Sequence, residues 1–282
     1  MEKSLVNTIY IMSKGRPECL TAQMLSNTEY PGEWFIVCGD NDTSIPQYIE
    51  RWGKDRIIVF NWKEWVDKTD LMDPFGVENG KPSGAAPARN AIHDISKNRG
   101  EKRHWQLDDD FPIFYDVDDN TGKKIRIEDG AILCKRMNRI AQYGEKADLL
   151  DVGIDGATLF LNAESRRKIA RQVFGCHNLR SDNRFLIWRG RMADDIVQAI
   201  DTAHTGRGIQ IAIKWFGFPY IQSAKKAGGN TDLYIAEGYI RKAGYAILAD
   251  PGCCRMKIDK KGPHIKMNYP QPKIVSDKYQ IL

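Results

Sequence analysis

The first hundred or so residues of this 282-residue chain predict an α/β fold built on a mostly parallel sheet. Three observations carry the prediction. Short β-branched and aromatic runs alternate with helical patterns, the runs stop at Gly, Pro or Asp, and several of those stops carry polar, chemistry-bearing side chains. Ligands of an open parallel sheet bind beyond the carboxyl ends of its strands, so such stops converge on one cleft.

TIYIM (8–12) reads as the first strand, ended by Gly15 and Pro17 in SKGRP. CLTAQMLSN (19–27) reads as helical, EWFIVCGD (33–40) as a strand ending at an aspartate, and RIIVFNW (56–62) as a third strand. Residues 67–87 are rich in Gly, Pro and charge and read as a loop. APARNAIHDISKN (86–98) places Ala88, Ala91, Ile92 and Ile95 at helical spacing. HWQL then forms a strand that runs straight into Asp108, Asp109 and Asp110. Farther on, DNTGKK (119–124) reads as a hairpin turn, 130–147 as an amphipathic helix, 148–162 as strand-like and 163–174 as a basic helix. Residues 175–191 read as irregular, 192–206 as a helix opened by two acids, and IQIAIKWFGFPYI as β-like. TDLYIAEGYIRKAGY reads as helical, AILAD (246–250) as a strand, and the basic tail beyond it shows no clear period. With no repeat, low-complexity tract or linker, one elaborated domain spanning 1–282 is the economical reading, with 1–115 and 116–282 as its two halves.

Composition narrows the class. Hydrophobic residues make up 42% and charged residues 28%, as in ordinary water-soluble domains. No apolar run approaches the roughly 20 residues that cross a bilayer, so no membrane partner is expected. The N-terminus lacks the pattern of a secretion signal, and none of the six cysteines forms a C-x-x-C pair. A reducing, cytoplasmic location is the expectation. Charge is uneven: from residue 160 onward 21 Lys and Arg face 10 Asp and Glu, a net +11, whereas the first 159 residues carry 21 against 27, a net −6. A basic second half fits a polyanionic partner, nucleic acid foremost.

Three adjacent carboxylates repel one another unless a cation or water surrounds them. At a strand end the first and third of a D-x-D project toward a common point, and their hard oxygens suit Mg²⁺ or Mn²⁺. Asp108 and Asp110 are therefore the candidate ligands, with Asp109 turned aside or held by a neighbouring cation. Ser13, Lys14 and Arg16 offer a flexible turn with a hydroxyl and two cations, too short for a P-loop but suited to a nucleotide. Asp40 can accept from a ribose or base edge, and Arg89, early in its helix, can reach a diphosphate.

The ordered set SKGR, an acid after strand two, PARN in a helix and W-x-L-D-D-D resembles a GT-A glycosyltransferase. More narrowly it resembles the TET-associated glycosyltransferases of phages and related bacterial proteins, held to add sugars to hydroxymethylated pyrimidines in DNA. The resemblance covers residues 8 to 115 well and the rest loosely. It implies a sugar-nucleotide donor, UDP-linked by family habit, with a divalent metal at Asp108 and Asp110 and Asp109 near the donor. Ser13, Lys14, Arg16, Asp40 and Arg89 would line the donor site. It also implies a later acidic motif under the acceptor, matched by Ala193-Asp194-Asp195 with Asp where Glu is usual. Asp195 or Asp194 would be the catalytic base, and His264 in the tail a further metal ligand. The sugar, the stereochemical course and the oligomeric state stay open.

For the acceptor, Arg180, Arg184, Arg189 and Arg191 surround Trp188, a mixture suited to phosphate contacts and base stacking. The runs Arg166–Arg167–Lys168 and Lys257–Lys260–Lys261 add phosphate-binding capacity. A nucleotidyltransferase would show a glycine-rich G-x-G-T loop, and a metal-dependent nuclease a P-D…(D/E)-x-K pattern; neither is present. A GT-A enzyme with a polysaccharide or lipid acceptor and a non-catalytic DNA-binding protein are the remaining alternatives.

Overall fold

The computed structural model describes residues 6–73, 82–118, 121, 123–146, 148–154, 173, 175–182, 187–204, 211–213, 216–219, 231–259 and 262–267. The basic helix expected at 163–174 lies almost wholly outside them, as does Arg184.

The N-terminal half alternates strands and helices, α2 and α3 being helices not expected from the sequence: β1 (Ile9–Met12), α1 (Leu20–Asn27), β2 (Trp34–Gly39), α2 (Ile45–Trp52), β3 (Ile57–Phe60), α3 (Trp62–Lys68), α4 (Ala86–Asn98) and β4 (Arg103–Asp108). The second half adds β5 (Tyr115–Val117), β6 (Lys124–Arg126), α5 (Gly130–Lys146), β7 (Asp151–Ile154), β8 (Cys176–Arg180), α6 (Asp194–His204), β9 (Ile211–Ile213), β10 (Phe216–Gly217), α7 (Thr231–Ala249), β11 (Cys254–Asp259) and β12 (Gly262–Met267). Seven strands form the central sheet in the order β3-β2-β1-β4-β8-β7-β9. All run the same way except β8, which is antiparallel to both β4 and β7.

Period-two alternation divides β1 between two cores. Ile9 and Ile11 pack with Ile36, Trp105 and Leu107 under Leu25, Leu133, Met137 and Ile140 of α1 and α5. Tyr10 and Met12 face the other way, with Val37 and Phe60, against Ala91 and Ile92 of α4. A strand covered on both faces has no polar side, which is why IYIM is apolar throughout. The register pairs Met12 with both Val37 and Asp108, so the loops after β1, β2 and β4 emerge together at one edge. Because β8 is reversed, its start, Gly175 and Cys176, comes to that edge, and its end, Arg180, goes to the opposite one.

Beside this sheet stand a small one, β10-β5-β6, and a two-stranded ribbon, β11-β12. The ribbon packs through Cys254 and Ile265 on Ile196 and Ile200 of α6 and Ala246 of α7. Four expectations change. The loop expected at 67–87 begins only after α3, and the stretch 175–191 contains the buried strand β8. AILAD is not a strand but the last turn of α7, which bends at Gly238. The tail is not aperiodic: its first part is the ribbon. Among the described residues no helix is long and apolar enough to cross a membrane, and all six cysteines are buried and free.

Gly84 sits in the left-handed region at φ 73°, and a Cβ there would lie 2.0 Å from the carbonyl oxygen of Arg191. Both the backbone angle and the collision exclude a side chain. Gly84→Ala is expected to lower stability by about 2 kcal/mol or more, read as a lower urea midpoint; an unchanged midpoint would show that the two loops part freely.

Candidate active site

The strand-end edge opens into a cleft of about 440 Å³, within the range of small-ligand sites. Its walls come from the loops after β1, β2 and β4 and the start of α4. The segment before β8, the first turn of α6, Phe218 and Pro219 just after β10, and Lys242 of α7 complete them. Six aspartates line it (Asp42, Asp108, Asp109, Asp110, Asp194 and Asp195) against four cationic side chains, Lys14, Arg16, Arg89 and Lys242. The formal excess is negative.

Arg89 stands at its centre. It lies on the first turn of α4 with the arginine fully enclosed, 2% exposed. Its Nε donates to Asp194 Oδ2 at 2.8 Å, and its Nη2 to Asp108 Oδ1 at 3.1 Å and Asp195 Oδ1 at 3.2 Å. The guanidinium lies over the Trp188 ring, 4.5 Å from its centroid. One cation thus ties β4, α4 and α6 together. Burial raises Asp194, with Asp195 adding to the effect and Arg89 opposing it. Asp108 is raised as well, by burial first, with Arg89 opposing and the neighbouring carboxylates reinforcing it.

Behind Asp195 stands a residue that no sequence motif marks. His177, wholly buried on β8, has Nδ1 2.8 Å from Asp151 Oδ2 and Nε2 3.1 Å from Asp195 Oδ1. Each ring nitrogen faces a carboxylate, so both are served only if the ring carries two protons. Burial works against that charge, but Asp151 and Asp195 outweigh it and push His177 up to about 9. In turn Arg89 and His177 overcome the burial of Asp195 and hold it below the usual carboxylate range. Asp195 Oδ1 takes both of these bonds, Oδ2 accepts from no described residue, and the side chain is 21% exposed. Asp194 is the more enclosed of the two, at 7%.

The triple aspartate divides its labour. Asp109 turns inward, accepting from Arg16 Nη1 at 2.8 Å and Ser13 Oγ at 2.7 Å, so it braces the first loop and presents little to a ligand. Tyr48 completes that brace through Ser13 Oγ and the Arg16 amide. Asp108 and Asp110 both line the cleft, and Gly175 leaves room for Asp108, whose Oδ2 would lie 2.5 Å from a Cβ there. No three His, Cys, Asp or Glu side chains among the described residues are grouped to hold an ion by themselves. Two carboxylates and a negative cleft nevertheless suit a hard divalent ion that completes its shell with water and a substrate diphosphate.

Several expected positions move. Asp40 does not line the cleft; it accepts from the Trp62 amide at 3.0 Å, at the start of α3. Asp42 takes its place, accepting from the Gly15 and Ser44 amides at 2.8 Å each. Trp62, with Lys14 Nζ 6.0 Å from its ring centroid, also lines the cleft, although in the sequence it reads as the end of a strand. Trp188 is wholly buried between Arg89 and His177 and cannot stack on a base. Arg191, equally buried, is bound to Asp73, Glu237 and the Pro82 carbonyl. Arg189 forms a bidentate pair with Asp201 at 2.7 Å, and Arg180 pairs with Asp148 and Asp182 at the far edge of the sheet. His264 stands on β12 and is not among the cleft-lining residues.

The sequence model of the TET-associated glycosyltransferases matches residues 7–229, most of the chain and all of the cleft except Lys242. The chain belongs to that family. No curated protein matches it. It is therefore a glycosyltransferase.

The His177 cation gives a pH signature. Its pKa in the folded chain, about 9, lies above the unfolded value near 6.5, so its stabilising effect is complete below pH 6.5 and lost as pH rises through 9. Urea unfolding of the wild type is expected to show falling stability across that window, by on the order of 3 kcal/mol, and His177→Gln to flatten the fall. Equal slopes in the two proteins would contradict a buried imidazolium.

Proposed function

We propose that the protein transfers a sugar from a nucleotide-sugar, UDP-linked, to the hydroxymethyl group of a modified pyrimidine in DNA, such as 5-hydroxymethylcytosine. The observation that carries the reading is the convergence of Asp108, Asp110 and Asp195 on one cleft around Arg89, in a chain of a glycosyltransferase family. The family's association with TET, together with the net +11 of the second half, supports a DNA acceptor.

The donor's nucleoside fits between the loops after β1 and β2, where Lys14, Asp42 and Trp62 meet. A diphosphate brings more negative charge to a cleft already negative, so Asp108 and Asp110 would hold a divalent cation, Mn²⁺ or Mg²⁺, that offsets the charge of the departing nucleoside diphosphate. Arg89 keeps Asp108 and Asp195 at fixed positions relative to each other, which sets the distance between leaving group and base. In the transfer, the bond between the anomeric carbon and the phosphate oxygen breaks and one to the acceptor oxygen forms. The acceptor hydroxyl's proton passes to Asp195, whose Oδ2 is the oxygen without a partner among the described residues. Asp194, enclosed and bonded to Arg89 Nε, positions that arginine.

Calorimetric titration of UDP and UDP-sugars tests the donor half. Binding is expected to require Mn²⁺ or Mg²⁺ and to vanish in Asp110→Ala, while Asp195→Asn keeps donor affinity and reduces kcat for transfer by about 10²-fold or more. No nucleotide binding with or without metal would overturn the reading and leave a DNA-binding protein without donor chemistry.

A further inference from the structure

The ribbon β11–β12 carries an arrangement that the fold does not need. Its register pairs Arg255 with Lys266 and Lys257 with His264. Directly opposed residues of an antiparallel pair point to the same face, and residues two apart along a strand do too. Arg255, Lys257, His264 and Lys266 therefore form a two-by-two block, and all four are exposed. In the intervening row Cys254 and Ile265 join the cluster shared with α6 and α7, while Ile258, toward the ribbon's tip, is exposed. Among the described residues no acid pairs with Arg255, Lys257 or Lys266, and the sequence places Lys260 and Lys261 between the two strands.

Like charges placed directly opposite each other destabilise a strand pair. A lysine guarding a free sheet edge needs no like-charged partner across the strand, so edge protection accounts for single charges and not for Lys266 set opposite Arg255. A row of phosphates would compensate it. A two-stranded ribbon fits the major groove of B-form DNA, the groove in which a 5-hydroxymethyl group projects. The ribbon is also fixed to the chemistry: the cluster it shares with α6 includes Ala193, the residue before Asp194 and Asp195.

We propose that the outer face of β11–β12 docks the DNA acceptor, with Arg255, Lys257 and Lys266 on backbone phosphates along the major groove. The inference rests on the DNA acceptor proposed above. It assigns docking to residues other than the arginine cluster around Trp188, whose described members are spent within the fold.

The test uses the full chain and its Lys257→Glu/Lys266→Glu double variant, without donor, on a 20-base-pair duplex containing 5-hydroxymethylcytosine. Fluorescence anisotropy is read from 50 to 200 mM salt. The variant is expected to bind at least tenfold more weakly, and the slope of log affinity against log salt to fall by about 0.9 for each phosphate that the variant no longer neutralises. Thermal unfolding at or above the wild-type midpoint is expected, since a repulsion is removed, and excludes misfolding as the cause. The ratio of turnover on duplex to turnover on the free hydroxymethyl nucleoside is expected to fall in parallel. Equal duplex affinity and slope in the two proteins would overturn the ribbon's role. So would a wild type that ignores duplex and binds phosphatidylserine vesicles through these lysines. Ribbon-dependent duplex binding with no sugar transferred from any donor would instead overturn the proposed reaction and leave the docking surface standing.

Discussion

The buried guanidinium of Arg89 is the interaction on which the rest of this structure depends. A charge taken out of water is costly unless it is paired and hydrogen-bonded, and this one meets Asp108, Asp194 and Asp195 from two other elements while lying on Trp188. Without it the three carboxylates would repel one another, with His177 left as the partner of Asp195 alone. The helix that delivers Arg89 is itself fixed by apolar packing of Ala91 and Ile92 on the β1–β2–β3 face. Hydrophobic burial thus sets the position of a charge, and the charge sets the position of the acids.

From that point a chain of alternating charge runs inward, Arg89 to Asp195 to His177 to Asp151. Its two cations hold Asp195 ionised at neutral pH, ready to accept a proton but weak as a base. A low-lying carboxylate acts as a base only if the proton it takes is shed by an increasingly acidic hydroxyl as the new bond forms. The chain is also held firmly, since His177 lies within the antiparallel strand β8 with no exposed surface. Its other consequence is a cleft whose lining, with Asp108 and Asp110 at the end of β4, holds more carboxylates than cationic side chains.

Much of this is legible in the sequence, and the failures have physical causes. The helix 86–98 is readable to the residue because its apolar spacing and Pro87 agree. The strand entering the aspartates is readable because a doubly covered strand must be apolar. Asp109 is readable as the aspartate held by a cation, since three adjacent acids cannot share one ion equally. His177 and Asp151 are not, because β8 is CHNLR, a buried strand that carries its polar groups into an internal network and so lacks the apolar signature. Asp40 rather than Asp42 looks like the cleft acid because the chain turns at the end of β2, and two residues of turn reverse which acid faces the cleft. Arginines crowded around a tryptophan look alike whether they face DNA or acids distant in sequence, and Asp201, Asp73 and Glu237 are too far along the chain to show as their partners. The ribbon is hidden because few of its apolar residues, Cys254 and Ile265, are packed, while Ile258 is exposed; only the register sorts its charges onto one face.

The measurement that bears most directly on the central claim is the mass of the nucleosides released from 5-hydroxymethylcytosine DNA after incubation with the protein, Mn²⁺ and a panel of UDP-sugars. A nucleoside heavier by one sugar residue, formed by the wild type and formed far more slowly with Asp195→Asn, is the predicted result. Unmodified nucleosides with every donor, or a sugar-bearing nucleoside formed equally well by Asp195→Asn, would contradict the account.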